Sequence, residues 1–173
     1  MSLARHGQLV RIRVERPGST GRRKSSRQIG KVILTFKGPA LKSRDSSISE
    51  GRRRKLGLYK EREEHEVVVT DAEPLRRILA ALEMRPVYCY EKFRTTFVLP
   101  GLKSLKIELD ETPIGVFLEL EGPRAAIDRA ARLLGYVKSD YSQATYGALY
   151  MDEVRRRGGR AGNMLFVPTT KTR

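Results

Sequence analysis

The chain has 173 residues, enough for one domain of ordinary size with a hydrophobic core. It is 32% charged and 7% aromatic with no Trp, yet its apolar residues fall in organised runs, which argues against wholesale disorder, and no run approaches the ~20 residues of a membrane span. The net charge of +15 is concentrated early: residues 1–60 hold 17 Lys or Arg against Glu15, Asp45 and Glu50, while residues 61–173 hold 18 against 17. Such a surplus forecasts a polyanionic partner, whether nucleic acid, polyphosphate, nucleotide or an acidic surface.

In chain order, residues 1–13 lack the apolar core of a signal peptide. His6 lies near the terminus and carries no assignment. Alternation predicts strands at 8–15 and 31–37, separated by a polar, basic loop at 17–28. A second loop at 40–57 contains the run Arg52-Arg53-Arg54-Lys55, which reads first as a solvated loop and second as a nucleic-acid patch. A third strand covers 60–69, where His65 sits between Glu64 and Glu66 and is expected to point to the core side. Thr70 and Glu73 have capping-box spacing, Pro74 lies in the first turn, and Leu75, Ile78, Leu79 and Leu82 recur at helical spacing.

Strands follow at 87–98, 103–110 and 115–121. Cys89, the single cysteine, lies in the apolar-aromatic run Val87, Tyr88, Tyr90 and is expected to be a buried, inert thiol. It can form neither an intramolecular disulfide nor a cysteine zinc site, which fits a cytoplasmic location. A second helix opens at Gly122-Pro123, places Ile127, Ala130, Ala131 and Leu134 on one face, and ends at Gly135. A third is expected over 141–157, with Arg155 to Arg157 near its end and Tyr136, Tyr141, Tyr146 and Tyr150 spaced for helix packing. After Gly158 a loose tail is expected, apart from the apolar patch Met164 to Val167. These elements give an α+β fold, an antiparallel sheet with inserted helices, arranged as one domain over 1–157 and a flexible basic tail over 158–173.

Charged residues recur on every second position of several strands: Arg11 and Arg13; Lys60, Arg62, Glu64 and Glu66; Lys92 and Arg94; Glu108 and Asp110; Glu119 and Glu121; and Lys37 ends VILTFK. Positions i and i+2 share a strand face, so each strand presents a charged face. One reading is the solvated side of an antiparallel sheet. The other is a polar lumen, because the matched positions are nearly all ionic and the basic and acidic pairs segregate to different strands. In a curled sheet the basic strands would hold phosphate oxygens and the acidic strands a hard divalent cation.

LTFKGP at 34–39, REEHEV at 62–67, EKFRTTF at 91–97 and ELDETPIGVFLELEG at 108–122 resemble the CYTH domain, the triphosphate tunnel metalloenzyme group. The resemblance covers about residues 5 to 150, and the Lys-Gly-Pro and Arg-Glu-Glu runs are most similar to the bacterial class IV adenylyl cyclase branch. It implies an antiparallel β-barrel whose lumen binds a nucleoside or inorganic triphosphate with Mg2+ or Mn2+. Phosphate-binding positions would fall on Arg11, Arg13, Lys37, Lys92 and Arg94, with Lys60 and Arg62 also facing substrate. Metal carboxylates would fall on Glu119 and Glu121, supported by Asp110; Glu64 and Glu66 match lumen positions without an assigned role.

The family's opening strand, with Glu-x-Glu-x-Lys, has no counterpart in this sequence, so the barrel is expected to lack its first strand. An unpaired sheet edge would invite a second copy, making a homodimer one expectation. The implied reaction is cyclisation of ATP to cyclic AMP and pyrophosphate, with hydrolysis of tripolyphosphate or an organic triphosphate such as thiamine triphosphate as the alternative. A non-catalytic polyphosphate- or RNA-binding module, using the basic loops, is the reading from another class. No Ser-His-Asp set, Cys-His pair or P-loop is present.

Overall fold

The structure is a computed structural model that describes residues 3–16, 30–40 and 59–167. The two expected basic loops, including the Arg52-Arg53-Arg54-Lys55 run, and the last six residues of the expected tail lie outside the described residues. The chain divides into two units, Met1–Arg85 and Pro86–Arg173.

In the first unit, β1 (Leu9–Glu15), β2 (Lys31–Ala40) and β3 (Arg62–Val69) form an antiparallel sheet in that order. Alternation sorts the side chains as the sequence predicts. Val10, Ile12 and Val14 share one face with Phe36, Leu34, Val32, Val67 and Val69, while Arg11, Thr35 and Glu66 lie side by side on the other. Val32 and Ile33 of the central strand are the buried apolar residues of this sheet. His65 does fall on the apolar face, opposite Phe36, and the two rings stack 6.3 Å apart. It is not packed in a core, however: its side chain is exposed and its Nε2 lies 2.9 Å from the Glu63 carboxylate. Alternation fixes a face, but His65 stands on an outer strand of its three-stranded sheet.

Helix α1 (Ala72–Ala81) begins one residue later than Thr70-based capping implies. Asp71 is the cap, with extended backbone and its carboxylate accepting the Glu73 amide at 2.9 Å. A carboxylate here satisfies an otherwise unpaired helix amide and complements the helix dipole. Asp71→Ala is therefore expected to destabilise the protein by about 1 kcal/mol in denaturant unfolding.

In the second unit, β4 (Phe93–Phe97), β5 (Lys106–Thr112) and β6 (Gly115–Glu121) form another antiparallel sheet in sequence order. The strand expected from residue 87 thus starts six residues late. Phe93 pairs with Glu111, but β5 ends at Thr112 and turns through Pro113 and Ile114, so earlier residues have no partner there. The 89–91 segment instead runs parallel to the apolar patch of the tail. Met164 donates its amide to the Cys89 carbonyl and accepts from the Glu91 amide, and its side chain is among the most buried in the protein. Cys89 itself is exposed, contrary to the expected buried thiol, because this pairing uses its backbone and leaves the side chain outside.

Helix α2 (Arg124–Leu133) covers the apolar side of this sheet, where Leu105, Ile107, Ala126 and Ala130 form a core with Leu99, Leu102, Leu120 and Ile127 packed against it. Helix α3 (Tyr146–Arg156) is shorter than the expected 141–157. Asp140 accepts the Val137 amide at 2.8 Å to close a local turn, and Thr145 caps α3 by accepting from the Ala148 amide at 3.2 Å. Both local bonds compete with helical continuation.

Gly122, between β6 and α2, has φ +153, and a Cβ there would lie 2.6 Å from the Ser104 carbonyl oxygen. That contact is with backbone and cannot be relieved by a rotamer change. Gly122→Ala is expected to lose about 2 kcal/mol of unfolding free energy, combining backbone strain and displacement of the 104–105 segment.

The α+β class and the antiparallel pairing are as expected. The strands lie in two separate three-stranded sheets, and no closed barrel forms among the described residues. Among the same residues, no helix is long and apolar enough to cross a membrane.

Candidate functional site

The charged face of the first sheet gathers most of the expected phosphate positions. Register places Arg11 opposite Thr35 and Thr35 opposite Glu66, and, one step along, Lys37 opposite Glu64. Thr35 donates to Glu66 at 2.7 Å, Arg11 and Arg13 approach the same carboxylate at 3.8 and 3.5 Å, and Lys37 donates to Glu64 at 2.9 Å. The hydrogen bond from Thr35, reinforced by Arg13, Arg11 and Lys37, outweighs burial and lowers the Glu66 pKa. Burial, Arg62 and Lys37 together lower the Lys60 pKa, which puts these three cations within one another's field. The Arg62 Nε is buried with no hydrogen-bond partner among the described residues. Arg11, Arg13, Lys37, Lys60 and Arg62 therefore share this face with Glu15, Glu64 and Glu66, leaving it a surplus of positive charge suited to a multiply charged anion.

The second sheet presents a different balance. Register aligns Arg94 with Asp110 and Phe117, and Thr96 with Glu108 and Glu119. Asp110 is fully buried and is the hub of this face. It accepts from Lys92 Nζ, Arg94 Nε and Nη2, and the Tyr146 hydroxyl, each at 2.6 Å. Arg94 Nη2 also donates to Glu119 at 2.5 Å, its Nη1 pairs with Glu108, and Lys106 meets Glu108 at 2.6 Å. The guanidinium fork thus binds three carboxylates at once, which a lysine ammonium cannot match in geometry.

Electrostatics follow from this arrangement. Burial acts to raise the Asp110 pKa, but hydrogen bonds from Arg94, Lys92 and Tyr146 prevail and hold it well below the usual carboxylate range. Burial works against the Arg94 charge, yet Asp110, Glu119 and Glu108 raise its pKa above the ordinary value. Burial and the bond to Asp110 push the Tyr146 phenol far up, so it stays a proton donor. The Tyr146 ring also meets Phe117 edge-on at 5.4 Å, and Lys92 Nζ lies 4.9 Å from its centroid.

The structure joins Lys92, Arg94, Asp110 and Glu119 in one network. Glu121 is only loosely attached, 3.8 Å from Lys106. Thr35 and Tyr146 escape the sequence reading, and Glu108 enters it only as one of the charged strand pairs. Thr35 is visible in hindsight as the i−2 neighbour of Lys37. Tyr146 has no strand pattern to announce it, since it arrives from a helix.

Glu119 and Glu121 fit a hard divalent cation in kind: both are oxygen donors, two apart on one strand face, with side chains 43% and 71% exposed. Asp110 offers no exposed oxygen and contributes instead by anchoring Lys92 and Arg94. Among the described residues, no three His, Cys, Asp or Glu side chains gather into a group able to hold a metal ion.

No curated protein and no solved structure matches the chain. The family comparison is positive: residues 1–139 match the model of the CYTH domain, a span that takes in both sheets, their charged faces and helix α2, and stops short of α3. The chain belongs to the CYTH domain family, whose members are triphosphate-binding tunnel enzymes and generally depend on a metal ion.

Proposed function

We propose that the protein binds a triphosphate in a metal-dependent manner and converts ATP to cyclic AMP and pyrophosphate, as class IV adenylyl cyclases do. The observation that carries the reading is the sorting of charge between the two sheets. The first offers Arg11, Arg13, Lys37, Lys60 and Arg62 with Glu15, Glu64 and Glu66, and the second offers Glu108, Asp110, Glu119 and Glu121 with Lys92, Arg94 and Lys106.

In this reading Arg and Lys side chains on the charged face of each sheet hold phosphate oxygens. Glu119 and Glu121 would hold Mg2+ or Mn2+, which would offset phosphate charge and acidify the attacking hydroxyl. In cyclisation the ribose 3′-oxygen bonds to the α-phosphorus, the α–β phosphoanhydride bond breaks, and the hydroxyl proton is lost as pyrophosphate departs. Hydrolysis of tripolyphosphate or an organic triphosphate would place water where the 3′-hydroxyl sits, on the same side chains.

Calorimetric titration of tripolyphosphate, with and without Mn2+ at near-physiological salt, tests the binding step, and product analysis with ATP tests the reaction. Mn-dependent binding near one-to-one and cyclic AMP formation are expected. Orthophosphate release from tripolyphosphate without cyclic AMP would establish the triphosphatase alternative. Steeply salt-dependent binding to RNA, with no preference for a compact triphosphate, would replace both with the nucleic-acid reading suggested by the charge surplus of residues 1–60.

A further inference from the structure

The side chains assigned to phosphate and those assigned to metal are bonded to each other. Arg94, a phosphate position by family match, donates to Glu119, a metal position, at 2.5 Å. The same guanidinium pairs with Glu108 and makes two hydrogen bonds to buried Asp110. Lys92 adds a bond to Asp110 and lies 3.9 Å from Glu119. In this state a positive side chain occupies the Glu119 carboxylate that a divalent cation would use, and a negative one occupies the Arg94 donor that a phosphate would use.

We propose that the Arg94–Glu119 bond is an ionic latch that makes cation and triphosphate binding mutually dependent. The inference rests on the proposed triphosphate site and deepens it. A phosphate oxygen that takes Arg94 Nη2 releases Glu119 for the cation, and a cation that takes Glu119 releases Arg94 for the phosphate. Asp110 does not take part in the exchange. It is fully buried and keeps Nε and one Nη2 hydrogen of Arg94, with Tyr146 and Lys92 as further donors, so the guanidinium has a fixed pivot when the other Nη2 hydrogen changes partner. By linkage each ligand must strengthen the other by the same factor, and couplings of this kind are typically about 5–150-fold.

The latch makes a crossed prediction that metal–phosphate chelation in solution cannot imitate, because each ligand is measured alone. Mn2+ binding is followed by the electron paramagnetic resonance signal of the free ion, without phosphate. Arg94→Gln should tighten it roughly 10-fold more than Arg129→Gln, which removes the same charge from an exposed position on α2. Tripolyphosphate binding is followed by calorimetry in excess chelator, without metal. Glu119→Gln should tighten it roughly 10-fold more than Glu111→Gln, a like change on the opposite face of the same sheet. In the double variant Arg94→Gln/Glu119→Gln both gains should disappear, since each depends on the partner left behind. Arg94→Lys, which keeps the charge but not the fork, should give an intermediate Mn2+ gain and serves if Arg94→Gln does not fold.

Gains equal to those of the charge-matched controls would overturn the latch. If tripolyphosphate binds no variant at all, the proposed function fails, while the Mn2+ arm still decides whether Arg94 holds Glu119 against a cation.

Discussion

Replacing Asp110 with Ala is expected to cost about 3 kcal/mol of stability, the largest loss of any single substitution on the charged face of the second sheet. The residue is fully buried and accepts hydrogen bonds from Lys92, Arg94 and Tyr146, so its removal leaves two cations and a phenol facing a cavity. Breaking a buried ion pair by deleting one partner typically costs about 3–5 kcal/mol. The lower end applies because Glu108 and Glu119 still hold Arg94. For a chain of this size the midpoint of thermal unfolding should fall by roughly 6–12 °C. Glu111→Ala on the opposite face should stay within about 0.5 kcal/mol. Denaturant unfolding of the two variants side by side checks the contrast, and equal losses would mean the network contributes nothing beyond ordinary surface charge.

The same group sets an acid limit. Its folded pKa is lowered by Arg94, Lys92 and Tyr146 acting against burial, so it binds protons less readily when folded than when unfolded. The contribution is therefore complete above the unfolded carboxylate value of about 4 and is lost as pH falls from there through the lowered folded value. Asp110→Asn should flatten that part of the stability profile, with the gap between variant and wild type closing as pH falls below about 4.

Alternation alone identified Arg94, Asp110 and Glu119 as occupants of charged strand faces, because the side-chain period of a strand is fixed by its backbone. It also placed His65 correctly by face and wrongly by burial. Which face a residue occupies is local information, whereas what covers that face is not. Cys89 failed for a related reason. Its apolar neighbours suggested a buried strand, but β5 had already turned at Pro113, and the backbone of residues 89–91 paired with Met164 instead. Tyr146 was out of reach for sequence reading. Its hydroxyl meets Asp110 across 36 positions of chain, and tyrosines spaced five, five and four apart say only that a helix is near. The pairing of expected phosphate ligands with expected metal ligands was likewise invisible. Charge segregation by strand suggested two separate functions, and only the register of β4, β5 and β6 shows that Arg94, Asp110 and Glu119 meet.

Glu121→Gln is the sharper test of the metal assignment. Glu119 serves two roles, one in the ion-pair network and one toward a cation, so its loss disturbs Arg94 as well as any metal. Glu121 is 71% exposed and, among the described residues, meets Lys106 at 3.8 Å, so Glu121→Gln should change stability by no more than about 0.5 kcal/mol. Under the proposed function it should nevertheless lower Mn-dependent turnover by on the order of 100-fold or more, since even outer partners of metal ligands are worth about 10–100-fold. Glu119→Gln should lower turnover comparably while tightening metal-free tripolyphosphate binding, a combination that Glu121→Gln should not show. Steady-state assays at saturating Mn2+, with tripolyphosphate calorimetry in chelator, separate the two. Turnover that survives both substitutions would place the cation on other side chains and leave Glu119 as a structural partner of Arg94 alone.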